Sequence, residues 1–177
     1  MKLIILDRDG VINHDSAQFV KSPDEWVPID GALEAIARLT HGGYRPVVAT
    51  NQSGIGRGLF DMATLNAINS KMIKAVSQAG GRIEAVFYCP DTAESSSVFR
   101  KPAPGMLLEI RERFNTPLEE VPAVGDSLRD LQAAAAVGAQ PILVLTGKGE
   151  STRDSGGLPE RTLVYPDLAA VAQALCP

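Results

Sequence analysis

The sequence predicts an α/β protein built on a doubly wound parallel sheet, and three observations carry that expectation. Short apolar runs alternate with helical patterns along nearly the whole chain, the order that yields parallel strands crossed by helices on both faces. The length of 177 residues, with 45% hydrophobic and 21% charged residues, suits a single domain spanning residues 1–177 with a real core. The polar residues with chemical potential follow directly on the apolar runs, at the edge where such sheets bind ligands.

The elements follow in chain order. Lys2 to Leu6 reads as the first strand. Ala32 to Leu39 carries Leu33, Ile36 and Ala37 at helical spacing, and Gly42-Gly43 closes it. Pro46 to Ala49 is the second strand. Asp61 can cap a long helix in which Met62, Leu65, Ile68, Met72, Ile73 and Val76 form one apolar stripe, ended by Gly80-Gly81. Ile83 to Tyr88 is the third strand, and Gly105 to Phe114 is a helix that Pro117 stops from running on. Val121 to Val124 is the fourth strand, Leu128 to Val137 an alanine-rich helix, and Ile142 to Leu145 the fifth strand. The Ser/Gly-rich stretch Gly147 to Gly157 reads as a surface loop, and Asp167 to Leu175 as a short amphipathic helix.

Composition narrows the partners. A net charge of −4 argues against a broad nucleic-acid surface while leaving room for a local cationic pocket. Two distant cysteines, Cys89 and Cys176, make no disulfide framework, and no apolar run is long enough for a membrane span. The opening apolar run meets Asp7 too soon for a signal peptide. A cytoplasmic monomer acting on a small molecule is the expectation.

The strand ends hold the chemistry. LDRDGVIN places Asp7 and Asp9 after the first strand; Thr50-Asn51-Gln52-Ser53 follows the second; Gly125-Asp126-Ser127 follows the fourth, with Asp130 one turn later; Arg100-Lys101-Pro102 precedes the third long helix. Taken singly, an Asp after a strand is a cap or turn residue and an Arg-Lys pair is solvated. Gathered on one edge, they suit phosphoryl transfer. Converging carboxylates repel and raise one another's pKa unless a cation neutralises them, and oxygen-only donors suit Mg²⁺. Asp7, on the rigid strand end, is the better nucleophile for an aspartyl-phosphate. Asp9, two residues on, is placed to move protons. Thr50 and Lys101 can hold phosphoryl oxygens as charge redistributes. If Asp7 and Asp126 share a metal, the first and fourth strands are neighbours, which gives the order 3-2-1-4-5.

With DRDG, ATNQSG, RKP and GDSLRD in this order, the sequence resembles the haloacid dehalogenase superfamily of phosphotransferases. The pieces NQSGIGRG, YCP, RKPAPGM and VGDSLRDLQAA resemble its branch of heptose bisphosphate and histidinol-phosphate phosphatases. The resemblance implies Asp7 as nucleophile and Asp9 as general acid and base. It implies Mg²⁺ on Asp7, the backbone carbonyl of Asp9, and Asp126. It implies phosphoryl contacts from Thr50 and Lys101, and substrate contacts from Arg100, from Thr50, Asn51, Gln52 and Ser53, and from the loop Asp15-Ser16-Ala17-Gln18. Asp130 would orient Lys101 or support the metal. The implied reaction removes the 7-phosphate of a heptose 1,7-bisphosphate on the way to nucleotide-activated heptose for surface glycans. Histidinol phosphate is the alternative substrate. A phosphoacceptor or phosphosugar-binding module without turnover is the alternative from another class, and Asp9 speaks against it.

Two departures matter. Relatives commonly carry a zinc loop with Cys-x-His and a later Cys-x-Cys, but here the segment reads CPDTAESSSVFRKP, with Asp91 in the histidine's place and no second cysteine pair. Structural zinc is therefore expected to be absent. Ser127 stands where some heptose enzymes have lysine. Neither insertion point, Asn13 to Asp30 or Cys89 to Arg100, has room for a large cap domain.

Overall fold

A computed structural model describes all 177 residues. Six parallel strands form one sheet in the order β3-β2-β1-β4-β5-β6. They are β1 (Lys2–Leu6), β2 (Tyr44–Asn51), β3 (Ala85–Cys89), β4 (Pro122–Gly125), β5 (Gln140–Val144) and β6 (Leu163–Tyr165). The helices are α1 (Ala32–His41), α2 (Ser53–Gly56), α3 (Met62–Gln78), α4 (Gly105–Phe114), α5 (Leu128–Ala136), α6 (Gly149–Ser155) and α7 (Leu168–Leu175). The expected order 3-2-1-4-5 stands, with β6 added at the far edge. No large cap is inserted; the segment between β1 and α1 holds only a short 3-10 turn, Pro23–Glu25.

Alternation along β1 explains the two layers. Ile4 and Leu6 point into a core shared with α1, α3, α7 and the fully buried Trp26. Leu3 and Ile5 point into the opposite core, shared with Met106, Leu107 and Ile110 of α4 and Ala133 and Ala134 of α5. β1 is thus apolar on both faces, as a central parallel strand must be. The switch point lies between β1 and β4, whose ends carry Asp7 and Asp126.

Caps fix the helix starts. Asp61 accepts from the Thr64 backbone N–H at 2.8 Å, and Asp167 from that of Ala170 at 2.8 Å. Ser127 and Asp130 make a reciprocal capping box on α5.

Three expectations are corrected. Gly147 to Gly157 is not wholly loop, because Gly149–Ser155 forms α6. The stripe on α3 loses Ile73, which is 42% exposed, and gains Asn69, which is buried. Asn69 follows Leu65 by four residues and precedes Met72 by three, so it shares their face, whereas Ile73 turns about 100° past Met72. The strand boundaries also shift by one to two residues, β2 running from Tyr44 to Asn51 and β3 from Ala85 to Cys89.

Candidate active site

The ends of β1, β2 and β4 meet in a cleft of about 240 Å³. Only two of its 17 lining residues, Ala17 and Phe19, are hydrophobic, so the cleft selects a charged or hydroxylated ligand. Asp7, Asp9, Thr50, Lys101 and Asp126 all line it. So do Asn51, Ser53 and Arg100, and Asp15, Ser16 and Ala17 from the loop after β1. Gln18 and Gln52 are not among the lining residues.

Lys101 anchors the floor. Its buried ammonium donates to Asp130 Oδ1 at 2.6 Å, to the Ala49 carbonyl at 2.7 Å and to Asp7 Oδ1 at 3.3 Å. These contacts occupy all three of its donors. Burial alone would lower its pKa, but the charges of Asp130 and Asp7 outweigh burial and hold the amine firmly protonated. Its backbone is clamped by Asn51, whose amide donates to the Lys101 carbonyl and accepts from the Lys101 N–H, each at 3.0 Å. The Asn51 side chain is therefore already committed to positioning the lysine.

Asp9 is held by a separate network. Arg8, fully buried, donates to Asp9 Oδ1 at 2.9 Å and to Asn69 Oδ1 at 3.1 Å. Asn13 and Gln52 donate to the same carboxylate at 3.0 and 3.2 Å. Burial pushes the Asp9 carboxyl up, but the Arg8 charge and these hydrogen bonds win and hold it below the ordinary carboxylate range. Gln52 also donates to Thr50 Oγ1 at 2.9 Å, so it orients two cleft residues from behind. Arg8 and Asn69 escaped the sequence reading; an arginine between two aspartates was the one local signal for a buried partner.

Asp7, Asp126 and Asp130 bring carboxylate oxygens within 4.8 Å of one another. Burial, then Asp130, then Asp126 and Asp9 push Asp7 well up, with Lys101 opposing. Burial and Asp130 push Asp126 up to about 7. Burial would raise Asp130 too, but its pair with Lys101 and hydrogen bonds from Ser127 lower it. Asp130 Oδ2 accepts from the Asp126 and Ser127 N–H groups at 3.1 Å and from Ser127 Oγ at 3.0 Å. Asp130 is thus fully engaged, while Asp7 Oδ2 and Asp126 Oδ1 accept no hydrogen bond, and neither does the Asp9 carbonyl. Crowded carboxylates with one lysine between them, and three hard oxygens free, fit Mg²⁺.

The segment after β5 supports this cluster. The Lys148 N–H donates to Asp126 Oδ2 at 2.9 Å and Thr152 Oγ1 to the Asp126 carbonyl at 2.8 Å. Thr146 Oγ1 donates to the Gly10 carbonyl at 2.6 Å. Gly10 and Gly147 both have positive φ, and a Cβ on either would collide with the Asp126 carboxylate. Sequence reading missed these supports because it treated the whole segment as loop.

In the segment that matches the relatives' zinc loop, the Cys89 thiol has Asp91 Oδ2 at 3.6 Å and Ser97 Oγ at 3.9 Å as side-chain partners.

Comparison with known proteins agrees with this geometry. A polynucleotide kinase 3 phosphatase family model matches residues 2–133, and a HAD-hydrolase-like model matches residues 98–171. The chain is 59% identical to the D-glycero-beta-D-manno-heptose-1,7-bisphosphate 7-phosphatase of Bordetella bronchiseptica, covering 99% of this chain and 98% of that one. The protein of the same name from Pseudomonas putida is 52% identical, with 99% of each chain covered. The crystal structure of the B. bronchiseptica D,D-heptose 1,7-bisphosphate phosphatase, complexed with magnesium and phosphate, superposes with a TM-score of 0.97 at 59% identity, covering 99% of this chain and 98% of that one. That of the Burkholderia thailandensis enzyme gives 0.79 at 57% identity, covering 98% and 97%. The chain belongs to the haloacid dehalogenase superfamily, in the family of these heptose bisphosphate phosphatases, and is a phosphoric monoester hydrolase.

Proposed function

We propose that this chain removes the 7-phosphate of D-glycero-beta-D-manno-heptose 1,7-bisphosphate through an aspartyl-phosphate on Asp7. The observation that carries this reading is the pairing of two differently tuned aspartates at one sheet edge: Asp7, in contact with Lys101, and Asp9, held apart by Arg8, Asn13 and Gln52. Its relatives supply the substrate.

The chemistry divides into two displacements. An Asp7 carboxylate oxygen attacks phosphorus, and the P–O bond to the sugar breaks as the leaving oxygen takes a proton from Asp9. Water then attacks the acyl phosphate, Asp9 takes its proton, and phosphate leaves with Asp7 restored. Held below the ordinary carboxylate range, Asp9 in the free protein is deprotonated, the form that the second half needs when it acts as base. An incoming phosphoryl dianion raises that pKa and loads the proton for the first half. Lys101 has no spare donor, so a bound phosphoryl oxygen takes the place of Asp7 on its ammonium. Thr50 Oγ1, oriented by Gln52, offers a hydroxyl contact beside it. Asp7, the Asp9 carbonyl and Asp126 would hold Mg²⁺, which when bound neutralises charge on the phosphoryl oxygens and frees Asp7 to react.

Cys89 with Asp91 and Ser97 is too poor a donor set for a structural zinc, which wants four nitrogen or sulfur ligands. The chain acts in this reading as one monomeric domain in the cytoplasm, on a small sugar and on neither nucleic acid nor membrane, and its product feeds nucleotide-activated heptose. No helix is long and apolar enough to cross a membrane.

A phosphate-release screen with Mg²⁺ tests the reading. The heptose bisphosphate is expected to give the highest kcat/KM among sugar bisphosphates, histidinol phosphate and nucleotides. Asp7→Asn is expected to abolish that turnover by roughly 10⁴-fold or more while the protein stays folded. A higher kcat/KM for histidinol phosphate overturns the substrate assignment.

A further inference from the structure

Asn69 is an amide on the core face of a helix. Ile68, Met72 and Val76 of α3 pack in the core with Ile4 and Leu6 of β1, and Asn69 is buried with them. Asparagine is a poor residue for a helix interior, and a buried amide is costly unless it is hydrogen-bonded. The Asn69 side chain makes one hydrogen bond to the rest of the protein, accepted from Arg8 Nη1 at 3.1 Å. The arginine therefore accounts for the amide on that face.

Arg8 passes the contact on. Its Nε donates to Asp9 Oδ1 at 2.9 Å and its Nη2 to Asp9 Oδ2 at 3.3 Å, a bidentate grip that fixes the plane of the carboxylate. Arg8 and Asp9 are consecutive residues of one turn, in which the Arg8 carbonyl accepts from the Val11, Ile12 and Asn13 N–H groups at 3.3, 2.9 and 3.3 Å. A fork between neighbours holds them to each other but not to the sheet. Asn13, which also donates to Asp9, belongs to the same turn. Of the side chains that reach this carboxylate or its arginine, only Gln52 and Asn69 come from other elements. Gln52 shares its amide with Thr50, whereas Asn69 stands on a long helix seated in the core and serves Arg8 alone.

We propose that Asn69 is a positioning residue for the phosphatase reaction: through Arg8 it holds the Asp9 carboxylate in the orientation from which a proton reaches the leaving oxygen. The inference rests on Asp9 as the general acid, as read above. Neither Asn69 nor Arg8 lines the cleft. Their effect is therefore on proton delivery and not on substrate binding.

The test reads how strongly the rate depends on the leaving group. A sugar alkoxide needs a proton as it departs, whereas p-nitrophenolate leaves without one. kcat/KM is measured for heptose 1,7-bisphosphate and for aryl phosphates from phenyl to p-nitrophenyl, in wild type, Asn69→Leu, Asn69→Asp and Asp9→Asn. Asn69→Leu keeps the bulk on α3 and removes the acceptor. It is expected to lower kcat/KM for the heptose ester by about 10- to 100-fold, and that for p-nitrophenyl phosphate by no more than about twofold, with a steeper dependence on leaving-group acidity along the aryl series. Asn69→Asp, whose oxygen can still accept from Nη1, should keep the wild-type slope. A uniform loss on every substrate, or an unchanged slope in Asn69→Leu where Asp9→Asn is steep, makes Asn69 a packing residue and overturns the proposal alone. A wild-type slope in Asp9→Asn overturns the acid reading, and the proposal with it. If Asn69→Leu does not fold, Asn69→Ala is read in the same way; if the heptose ester is not cleaved, the aryl slope decides.

Discussion

Asp7 and Asp9 differ by two positions and by everything around them. Asp7 lies among carboxylates with a single lysine as counter-charge, whereas Asp9 has a buried arginine and two amides of its own. That asymmetry separates the roles of two chemically identical groups. It also sets the expected behaviour of Asp9→Asn. Metal binding should persist, since the candidate ligand at that residue is its backbone carbonyl. Turnover should fall about 10²- to 10⁴-fold, the usual reach of general acid and base catalysis. Steady-state rates over a Mg²⁺ titration check this; full recovery at high Mg²⁺ would make the side chain a metal ligand instead. The two aspartates were legible in the sequence because carboxylates directly after a buried strand stand out. Arg8 was not, because an arginine in a charged run reads as solvated until the fold buries it against Asn69 of α3.

At the scale of elements, apolar runs and caps disclosed all the central strands and the long helices, since burial and hydrogen bonding leave periodic marks. Gly147 to Gly157 defeated that approach. Its glycines and serines look like loop, yet Gly147 is glycine because backbone and carboxylate crowd it, and the following turn of α6 grips Asp126. Asn51 and Gln52 similarly read as substrate contacts, while the fold spends their amides on Lys101, Asp9 and Thr50. Such roles depend on contacts across the sheet that spacing does not encode. Gly147→Ala tests the supporting role. An alanine there must adopt a φ near +57° and push against Asp126, at a cost of about 1–3 kcal/mol. The expected outcome is a folded protein whose Mg²⁺ affinity, read by calorimetric titration, is at least about tenfold weaker, because a displaced ligand loses more than 1.4 kcal/mol of binding. Unchanged affinity would make the segment a bystander.

For the whole molecule, the crowded floor means that the site works against the stability of the metal-free fold. The sign follows from the direction of each shift. Asp7 and Asp126 titrate higher in the folded protein than the ordinary 3.8, Asp126 at about 7. The folded state therefore keeps protons that the unfolded chain releases, and stability falls as pH rises through that interval. Asp9, Asp130 and Glu84 are shifted down, so their stabilising contributions are lost only as pH falls below the ordinary carboxylate range. The windows barely overlap, so the raised pair governs the carboxylate contribution between about pH 4 and 7. A Mg²⁺ ion held by Asp7 and Asp126 would favour the deprotonated forms and reverse the trend. Thermal melts of chelator-treated protein should accordingly show Tm declining from pH 5 to pH 8. Added Mg²⁺ should raise Tm at pH 8 and do much less at pH 5. A metal-free Tm that climbs across this range, or a Mg²⁺ effect equal at both ends, would place the cation somewhere other than between these two carboxylates.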